Sequence, residues 1–317
     1  MQVIEHLAKA KDTLVSFEVL PPLKGRTISY IYDHLDPLME FKPSWINVTY
    51  HRSETILRKN ELGLEEKVDV RKRPGTVGIC AAIMNHYNVD AVPHIICGGF
   101  SKRETEDALI DLQFLGIDNV LVLRGDAEKG QTTFVPEPNG NQQAIDLLKQ
   151  VVGLNNGEYL DKEILNGSKT NFCMGVAGYP EKHFEAPSME FDLQRAKDKV
   201  DAGAQYIMTQ MFFDNKKYFE YVDACRSIGI NVPIIPGLKP ITNKKQLTIL
   251  PNIFYVDIPA DLRGAMEAAN SEEACEQVGK EWLIQQSKEL KAAGVPVLHY
   301  YTLGKPKVIK DVVAAVF

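Results

Sequence analysis

The feature that most constrains the fold is a short apolar run that ends abruptly in charged residues. Residues 121–126 read Leu-Val-Leu-Arg-Gly-Asp, and apolar runs also end at Glu18 and at Gln210. Such a run is typical of a strand buried on both faces, as in a parallel sheet covered by helices. Polar groups just past these strands lie at the carboxyl edge, where α/β sheets and α/β barrels bind ligands. The sequence therefore predicts an enzyme scaffold that displays its site residues at one edge.

The order of predicted strands and helices favours a barrel. Eight strands with intervening helices favour a (β/α)₈ barrel over a doubly wound sheet, and no G-x-G-x-x-G motif follows an early strand. We therefore expect an α/β fold, a single TIM-type barrel domain over residues 1–317, with long loops at 127–141 and 153–168. The predicted strands are residues 14–20, 45–50, 76–83, 119–124, 171–178, 206–213, 232–238 and 295–302, and the predicted helices, each followed by a glycine, are residues 101–115, 188–202 and 214–228.

Composition and charge disfavour several classes of protein. The formal net charge of −6 argues against nucleic acid or an anionic membrane surface as the main partner. The start of the chain lacks the pattern of a signal peptide, and no stretch has the roughly 18–20 apolar residues of a membrane helix. The five cysteines are scattered with no C-x-x-C pair, which is typical of reduced thiols in a cytoplasmic protein. The histidines include no H-x-H or H-E-x-x-H motif, so no zinc site is indicated.

Glu18 is the first candidate for acid–base chemistry. Pro21 and Pro22 cannot continue a central strand, so the predicted strand ends just past the glutamate. The apolar neighbours of Glu18 in the sequence could disfavour the charged form of its carboxyl, which suits a general acid. The alternatives are a solvated carboxylate at a strand end and an ion pair with Arg124.

Asp126 and Gln210 are candidates for binding a planar heterocycle. A carboxylate that follows a glycine at a strand end can accept hydrogen bonds from an amino-pyrimidine edge, whereas the commonest use of a Gly-Asp pair is a turn. The Gln210 side chain could pair with a planar amide while Phe212 and Phe213 stack on the ring. Each of the two phenylalanines is also typical of a core residue.

A second set of polar residues follows the fifth predicted strand. Residues 177–186 combine glycine and proline with several hydrogen-bonding side chains. On the next predicted helix, Asp192, Arg195 and Lys199 are three and four residues apart and share a face. That face could hold a ribose and a pyrophosphate, or it could be an ion-paired surface facing solvent. His94 is ambiguous in the same way, because a lone histidine beside an apolar run is more often a core residue than a ligand.

Taken in order, eight motifs resemble those of the methylenetetrahydrofolate reductase family in its short bacterial form. They extend from about residue 10 to residue 305, and their common order makes the resemblance specific. The motifs are Phe17-Glu18-x-x-Pro21-Pro22, Val48-Thr49-Tyr50, His94 after the third predicted strand, Leu123-Arg124-Gly125-Asp126, Val176-Ala177-Gly178-Tyr179-Pro180-Glu181, Thr209-Gln210-x-Phe212-Phe213-Asp214, Pro236-Gly237-Leu238 and Tyr301-Thr302-Leu303.

The resemblance implies a (β/α)₈ barrel that binds FAD noncovalently. NADH or NADPH would reduce the flavin, which would then reduce 5,10-methylenetetrahydrofolate to 5-methyltetrahydrofolate in a ping-pong cycle. The cofactor would carry out the redox chemistry, and the barrel would position the cofactor and the substrates and provide the electrostatic environment. We also expect a cytoplasmic homo-oligomer, and no adenosylmethionine-binding regulatory domain, because the chain ends soon after the last motif.

The same resemblance implies roles for individual residues. Glu18 would be the general acid that assists opening of the methylene bridge, and Asp126 would bind the pterin and tune the flavin. Gln210 and Gln246 match folate-contacting positions, and Lys305 stands where the family often has a substrate-contacting arginine. The positions that match contacts to the nicotinamide or to FAD are Thr49, Tyr50, His94, Arg124, Gly125, Asp126, Tyr179, His183, Asp192, Arg195 and Lys199.

The chain departs from the family's pattern at three places. Val19 and Leu20 replace paired aromatic residues, and Ile96 stands where a threonine is common. Gly304 and Lys305 replace Asn-Arg, and lysine cannot reproduce the bidentate fork of arginine.

Three other functions remain open from the residues alone. One is another flavin-dependent barrel, such as a proline-dehydrogenase-like enzyme, which would share the flavin-binding groups but not the pterin-binding groups. Another is a pterin-binding barrel that transfers a methyl group without a redox cofactor. The third is a flavin- or folate-binding protein without catalytic activity.

Overall fold

Eight parallel strands form a closed barrel in the computed structural model, which describes residues 1–127, 131, 133–302 and 304–317. The barrel strands are β1 (Leu14–Val19), β2 (Trp45–Val48), β5 (Asp90–Ile96), β6 (Asn119–Leu123), β7 (Cys173–Gly178), β8 (Tyr206–Met211), β9 (Ile234–Leu238) and β10 (Val297–Tyr301), and the strands β3 (Glu54–Lys59) and β4 (Glu65–Val70) form a separate sheet. The helices are α1 (Val3–Lys9), α2 (Ser29–Leu35), α3 (Thr76–Tyr87), α4 (Lys102–Phe114), α5 (Ala144–Asn155), α6 (Met189–Asp201), α7 (Asn215–Ser227), α8 (Gln246–Phe254), α9 (Ala260–Ala268), α10 (Glu272–Ala292) and α11 (Pro306–Val316), with a 3₁₀ helix at Asp36–Phe41. None of the described helices is both long and apolar enough to cross a membrane.

The strands follow the order β1-β10-β9-β8-β7-β6-β5-β2 around the barrel, so β1 lies between β10 and β2. Because neighbouring barrel strands are parallel, their carboxyl ends lie on one rim. This arrangement confirms the predicted (β/α)₈ barrel. It also brings the polar residues that follow separate strands to a common mouth.

Alternate strand positions fill the interior of the barrel. Near its amino-terminal end, Trp45, Leu121 and Tyr206 form an apolar layer against which Val3 of α1 packs. Gly175 of β7 makes room for the aromatic ring of Tyr206, since a Cβ at that position would overlap it. The intervening strand residues pack outwards against the helices in a continuous apolar layer.

One strand prediction is wrong. Residues 76–83 form most of helix α3, and its apolar side chains are buried at helical spacing. The third strand of the barrel is β5, which contains Pro93 in register with Val48 of β2. Proline has no N–H to donate to a neighbouring strand, so the true strand carries a weaker strand pattern than the apolar helix before it. His94 therefore lies inside the third strand rather than after it.

The other seven predicted strands are confirmed, with ends that differ by at most two residues. The three predicted helices are confirmed as α4, α6 and α7. The predicted loop at 153–168 is wrong in its first three residues, which belong to α5. The predicted loop at 127–141 includes residues 128–130 and 132, which lie outside the described residues, as does Leu303 of the last motif. The glycines that follow the three helices have positive φ angles, at Gly116 (71°), Gly203 (119°) and Gly229 (80°).

A two-stranded hairpin that the sequence analysis missed lies between β2 and α3. Strands β3 and β4 pair antiparallel, and most of their residues are exposed. The chain that follows the hairpin is tied to the loop after β1. The Lys24 N–H donates to the Lys72 carbonyl at 2.8 Å, and the Arg73 guanidinium donates to the Pro21 carbonyl. The hairpin is therefore attached at the same rim as the candidate residues.

Gly279 allows α10 to pack closely on the chain after β9, because an added Cβ would overlap the Ile241 carbonyl. We predict that Gly279→Ala lowers the free energy of unfolding by about 1–3 kcal/mol, since α10 must move away from Ile241. Gly264 in α9 is the control, because no atom lies within 4 Å of the same position there. Gly264→Ala should raise the free energy of unfolding by about 0.5–1 kcal/mol. Denaturant titration measures both, and a Gly279→Ala variant as stable as the parent would contradict the close contact.

Candidate active site

Glu18 lies at the carboxyl end of β1 and is only 7% exposed. The Thr49 hydroxyl, just past β2, donates to Glu18 Oε1 at 2.9 Å. Nε2 of His94, in β5, lies 3.4 Å from Glu18 Oε2, and Nε2 of His299, in β10, lies 3.6 Å from the same oxygen. The Glu18 carboxylate of β1 is therefore surrounded by three polar side chains, which come from β5, from β10 and from the residue after β2.

The two histidines are themselves held by inward-facing polar residues. Nδ2 of Asn47 lies 3.2 Å from Nε2 of His94, and Oγ of Ser16 lies 2.8 Å from Nδ1 of His299. An amide nitrogen only donates, so the Asn47 contact favours a neutral ring with Nε2 as acceptor, whereas the Glu18 charge favours a protonated ring. Burial, opposed by the Glu18 charge, lowers the pKa of His94, which favours the same neutral form.

The structure reverses the expected direction of the pKa shift at Glu18. Burial raises the pKa of the Glu18 carboxyl, but His94, His299 and the Thr49 hydroxyl together hold it below its ordinary value. The apolar residues next to Glu18 in the sequence, Phe17 and Val19, point to the helix side of the strand and do not face the carboxyl. In the free protein, Glu18 is therefore an anion at neutral pH.

Arg124 does not pair with Glu18, which excludes one alternative of the sequence analysis. Arg124 NH1 lies 2.5 Å from Glu185 Oε2, and its guanidinium lies over the Phe134 ring, 5.1 Å from the centroid. The other alternative for Glu18, a solvated carboxylate at a strand end, is excluded because the residue is buried. The Arg124–Glu185 pair instead connects the end of β6 to the loop after β7.

Asp126 lies exposed above the end of β6, after Gly125 with its φ of 85°. Within the described residues, no group donates a hydrogen bond to its carboxylate, so the structure gives no support to a turn role. Its charge acts on Tyr179 on one side and on His51 on the other. Burial and Arg73 lower the pKa of His51, while Asp126 and Glu18 oppose that shift. Asp126 therefore lies across the mouth from Glu18 and is free to bind a ligand.

Two of the three helix residues singled out from the sequence fix the end of β7 and the loop that follows it. Asp192 Oδ2 accepts the His183 N–H at 2.9 Å, and Lys199 Nζ donates to the Ala177 carbonyl at 2.7 Å. Burial lowers the pKa of Lys199 to about 8, although Asp192 opposes the shift. Arg195 is instead half exposed, 3.8 Å from Asp198. The structure thus brings Asp192 and Lys199 to the loop and leaves Arg195 outside it.

An aromatic cavity opens beside the Glu18 cluster. Tyr50 lies against Phe100 with ring centroids 5.0 Å apart, and both line a cavity of about 670 Å³. His94 and Arg71 contribute to the same lining. In the loop after β7, the Tyr179 and His183 rings meet edge to face at 4.7 Å. The mouth therefore offers several flat surfaces to a planar ligand.

The predicted folate-contacting residues lie on or after β8, β9 and β10. Gln210 Oε1 accepts the Met211 N–H at 2.9 Å, and Gln246 Oε1 accepts the Thr242 N–H at 2.7 Å. These bonds leave the amide nitrogens of both glutamines as donors for a ligand. Lys305 is half exposed and lies 2.9 Å from Glu276.

Phe212 and Phe213 do not face the mouth. Both are buried in apolar clusters, and Phe212 stacks on Tyr218 at 5.4 Å. The suggestion that they stack on a ligand is wrong, because their strand ends at Met211 and the chain then turns into the helix layer. They are core residues.

The sequence analysis missed His299, Ser16 and Asn47. Each is a polar residue at an inward position of a strand whose outward residues are apolar. Applying a strict period of two to the predicted strands would have selected all three. The same period also selects Lys239, just past β9.

Comparison with known proteins gives one family over nearly the whole chain. The sequence model of the family described as methylenetetrahydrofolate reductase matches residues 3–316. The 5,10-methylenetetrahydrofolate reductase of Escherichia coli (strain K12) is 30% identical over 303 residues, which cover 95% of this chain and 90% of that protein. Methylenetetrahydrofolate reductase (NADH) 1 of Arabidopsis thaliana is 31% identical over 96% of this chain. The chain spans about half of that plant relative, 48% of its length.

One solved structure supports the fold. An uncharacterized protein from Clostridium thermocellum, described as binding two copies of 5-methyl-5,6,7,8-tetrahydrofolic acid, superposes with a TM-score of 0.60. The match covers 99% of this chain and 98% of that chain at 13% sequence identity. At that identity, the similarity concerns the fold alone.

Proposed function

Because the chain belongs to the methylenetetrahydrofolate reductase family, we propose that it reduces 5,10-methylenetetrahydrofolate to 5-methyltetrahydrofolate with hydride from NADH or NADPH. The observation that carries the proposal is the buried Glu18 carboxylate, held at the barrel mouth by Thr49, His94 and His299. A carboxyl group in contact with proton-bearing neighbours is suited to the proton transfer that this reduction needs. Asp126, across the mouth, supplies a second carboxylate, which is exposed to solvent and would bind the pterin.

We propose FAD as the cofactor, and the chemistry of the mouth fits it. The cavity beside Tyr50, Phe100 and His94 is large enough to accept a planar ring system, and Tyr50 and His94 are two of the positions that match contacts to FAD. Bound FAD would accept hydride from the nicotinamide and pass it to the folate. Asp192 and Lys199 would act indirectly, because Asp192 fixes the backbone of the loop after β7 and Lys199 fixes the end of that strand.

Glu18 would protonate the amine that leaves as the methylene bridge of the folate opens. In the free protein its pKa is lowered, so the carboxylate must first gain a proton. A bound pterin would remove the remaining solvent from the carboxylate, and that loss of solvent raises its pKa. His94 and His299 lower the pKa of Glu18 in the free protein, so the loss of solvent would have to outweigh their effect.

Asp126 and Gln210 would position the pterin. The Asp126 carboxylate can accept hydrogen bonds from the amino-pyrimidine edge, and the free amide nitrogen of Gln210 can donate to a ring carbonyl. The negative charge of Asp126 would also disfavour an anionic form of a nearby reduced ring. The two residues therefore fix the orientation of the substrate relative to Glu18.

We propose that the nicotinamide and the folate occupy the mouth in turn. The candidate residues come from strands that share one rim and converge on one mouth, so the oxidised nicotinamide must leave before the folate enters. We therefore predict ping-pong kinetics. Initial rates over a grid of both substrates should give parallel double-reciprocal lines, and converging lines would rule out the shared mouth.

We further predict that Glu18→Gln separates the two half-reactions. Reduction by NADH or NADPH should persist, because hydride transfer from the nicotinamide needs no proton from this carboxyl. Reoxidation by 5,10-methylenetetrahydrofolate should slow by about 10²- to 10⁴-fold, the usual contribution of a positioned general acid. Stopped-flow absorbance of each half-reaction measures both rates in one preparation, so the first serves as the control for folding. Unchanged reoxidation would remove Glu18 from the mechanism.

A further inference from the structure

A buried lysine lies at the mouth among the predicted folate-contacting residues. Lys239 follows β9 directly and is 7% exposed. On β9, Ile235 belongs to the barrel interior, and Gly237 faces Tyr301 and the Thr209 carbonyl. Because alternate residues of a strand face the same side, Lys239 is placed towards the mouth.

The ammonium group of Lys239 lacks a matching anion. Its Nζ donates one hydrogen bond, 3.0 Å long, to the Pro240 carbonyl. An ammonium carries three donors, and within the described residues no carboxylate forms an ion pair with this one. Burial, together with the charge of Lys305, lowers the pKa of Lys239 to about 8. A buried cation without an anion is costly, and a bound anion would remove that cost.

The charges of the mouth are unevenly distributed. The carboxylates of Glu18 and Asp126 follow β1 and β6, whereas Lys239 and Lys305 follow β9 and β10. Lys305 Nζ lies 2.9 Å from Glu276 Oε2. The β9–β10 side therefore favours an anionic group on the ligand.

A folate has a matching polarity, since its pterin is a neutral hydrogen-bonding ring and its other end carries glutamyl carboxylates. We propose that Lys239 and Lys305 together bind a glutamyl carboxylate of the substrate, and that Lys239 sets the preference for a glutamylated ligand. The proposal rests on the proposed function and names the part of the substrate that this side of the mouth recognises. Two ammonium groups can bind both carboxylate oxygens, which a single lysine in place of arginine cannot do.

Equilibrium binding of two ligands to the holoenzyme tests this proposal. The ligands are 5-methyltetrahydrofolate and 5-methyltetrahydropteroyl amide, which lacks the glutamate and all of its carboxylates, and calorimetry gives both dissociation constants. Lys239→Met should weaken binding of the first ligand by about tenfold to a hundredfold and leave the second unchanged. Lys239→Arg should retain both affinities. Lys245→Met is the matched control, because it removes the same charge from an exposed residue six positions away.

The outcomes separate this proposal from the proposed function. Equal losses for both ligands in Lys239→Met would place Lys239 at the pterin and overturn the assignment to the tail. Unchanged binding of both ligands would show that Lys239 contacts neither end. If the parent protein binds neither ligand, the proposed function fails, whatever the variants do.

The pH dependence of binding gives a second readout that needs no charge-removing variant. The lowered pKa of Lys239 means that its ammonium is present below about pH 8 in the free protein and is lost as the pH rises through that value. Affinity for 5-methyltetrahydrofolate should fall above this pH, by up to about tenfold per unit, and that for 5-methyltetrahydropteroyl amide should not. Lys239→Arg should abolish the fall. A fall shared by both ligands, or one that persists in Lys239→Arg, would contradict the proposal.

Discussion

The alternation of side chains along eight parallel strands is the constraint on which the site depends. In β1, alternation turns Phe17 towards the helices and Glu18 into the barrel. Closure of the barrel then places β10 and β2 on either side, so that His299 and Thr49 both reach the Glu18 carboxylate. A shift of β1 by one residue would exchange Phe17 and Glu18 and would leave a charge among apolar side chains. The register that builds the core therefore also builds the site.

How far the sequence predicted this protein depends on which physical signal each element carries. Strands that end in charged residues were predicted correctly because burial on both faces leaves an unbroken apolar run. Helix α3 contains a run of the same kind and was therefore mistaken for a strand. The strand β5 was missed because Pro93 weakens its strand pattern. The hairpin β3–β4 was missed because its exposed strands lack a buried face. Glu18 was found, but its pKa shift was expected in the wrong direction. The side chains of consecutive strand residues point to opposite faces, so the sequence neighbours of Glu18 do not surround its carboxyl. The groups that lower its pKa come from β2, β5 and β10.

The mouth divides into three parts that the chain builds in different ways. Around Glu18, buried polar side chains contact one another directly, and each has little freedom to move. Beside β7, Lys199 holds the end of the strand and Asp192 holds the loop that follows it. That loop carries the rings of Tyr179 and His183. On the β9–β10 side, Lys239 is buried without an anion. We therefore assign the proposed proton transfer to the Glu18 cluster, the proposed ring binding to the part beside β7, and the proposed charge recognition to the β9–β10 side.

The central claim is that this mouth carries hydride from a nicotinamide to a folate through a bound flavin. Anaerobic absorption spectroscopy of the purified protein tests it most directly. We predict a yellow protein whose absorbance is bleached by NADH or NADPH and restored by 5,10-methylenetetrahydrofolate. A protein that binds folate but no flavin would contradict the claim and favour methyl transfer or simple binding, and a flavin bleached by proline and not by NADH or NADPH would favour a proline-dehydrogenase-like enzyme.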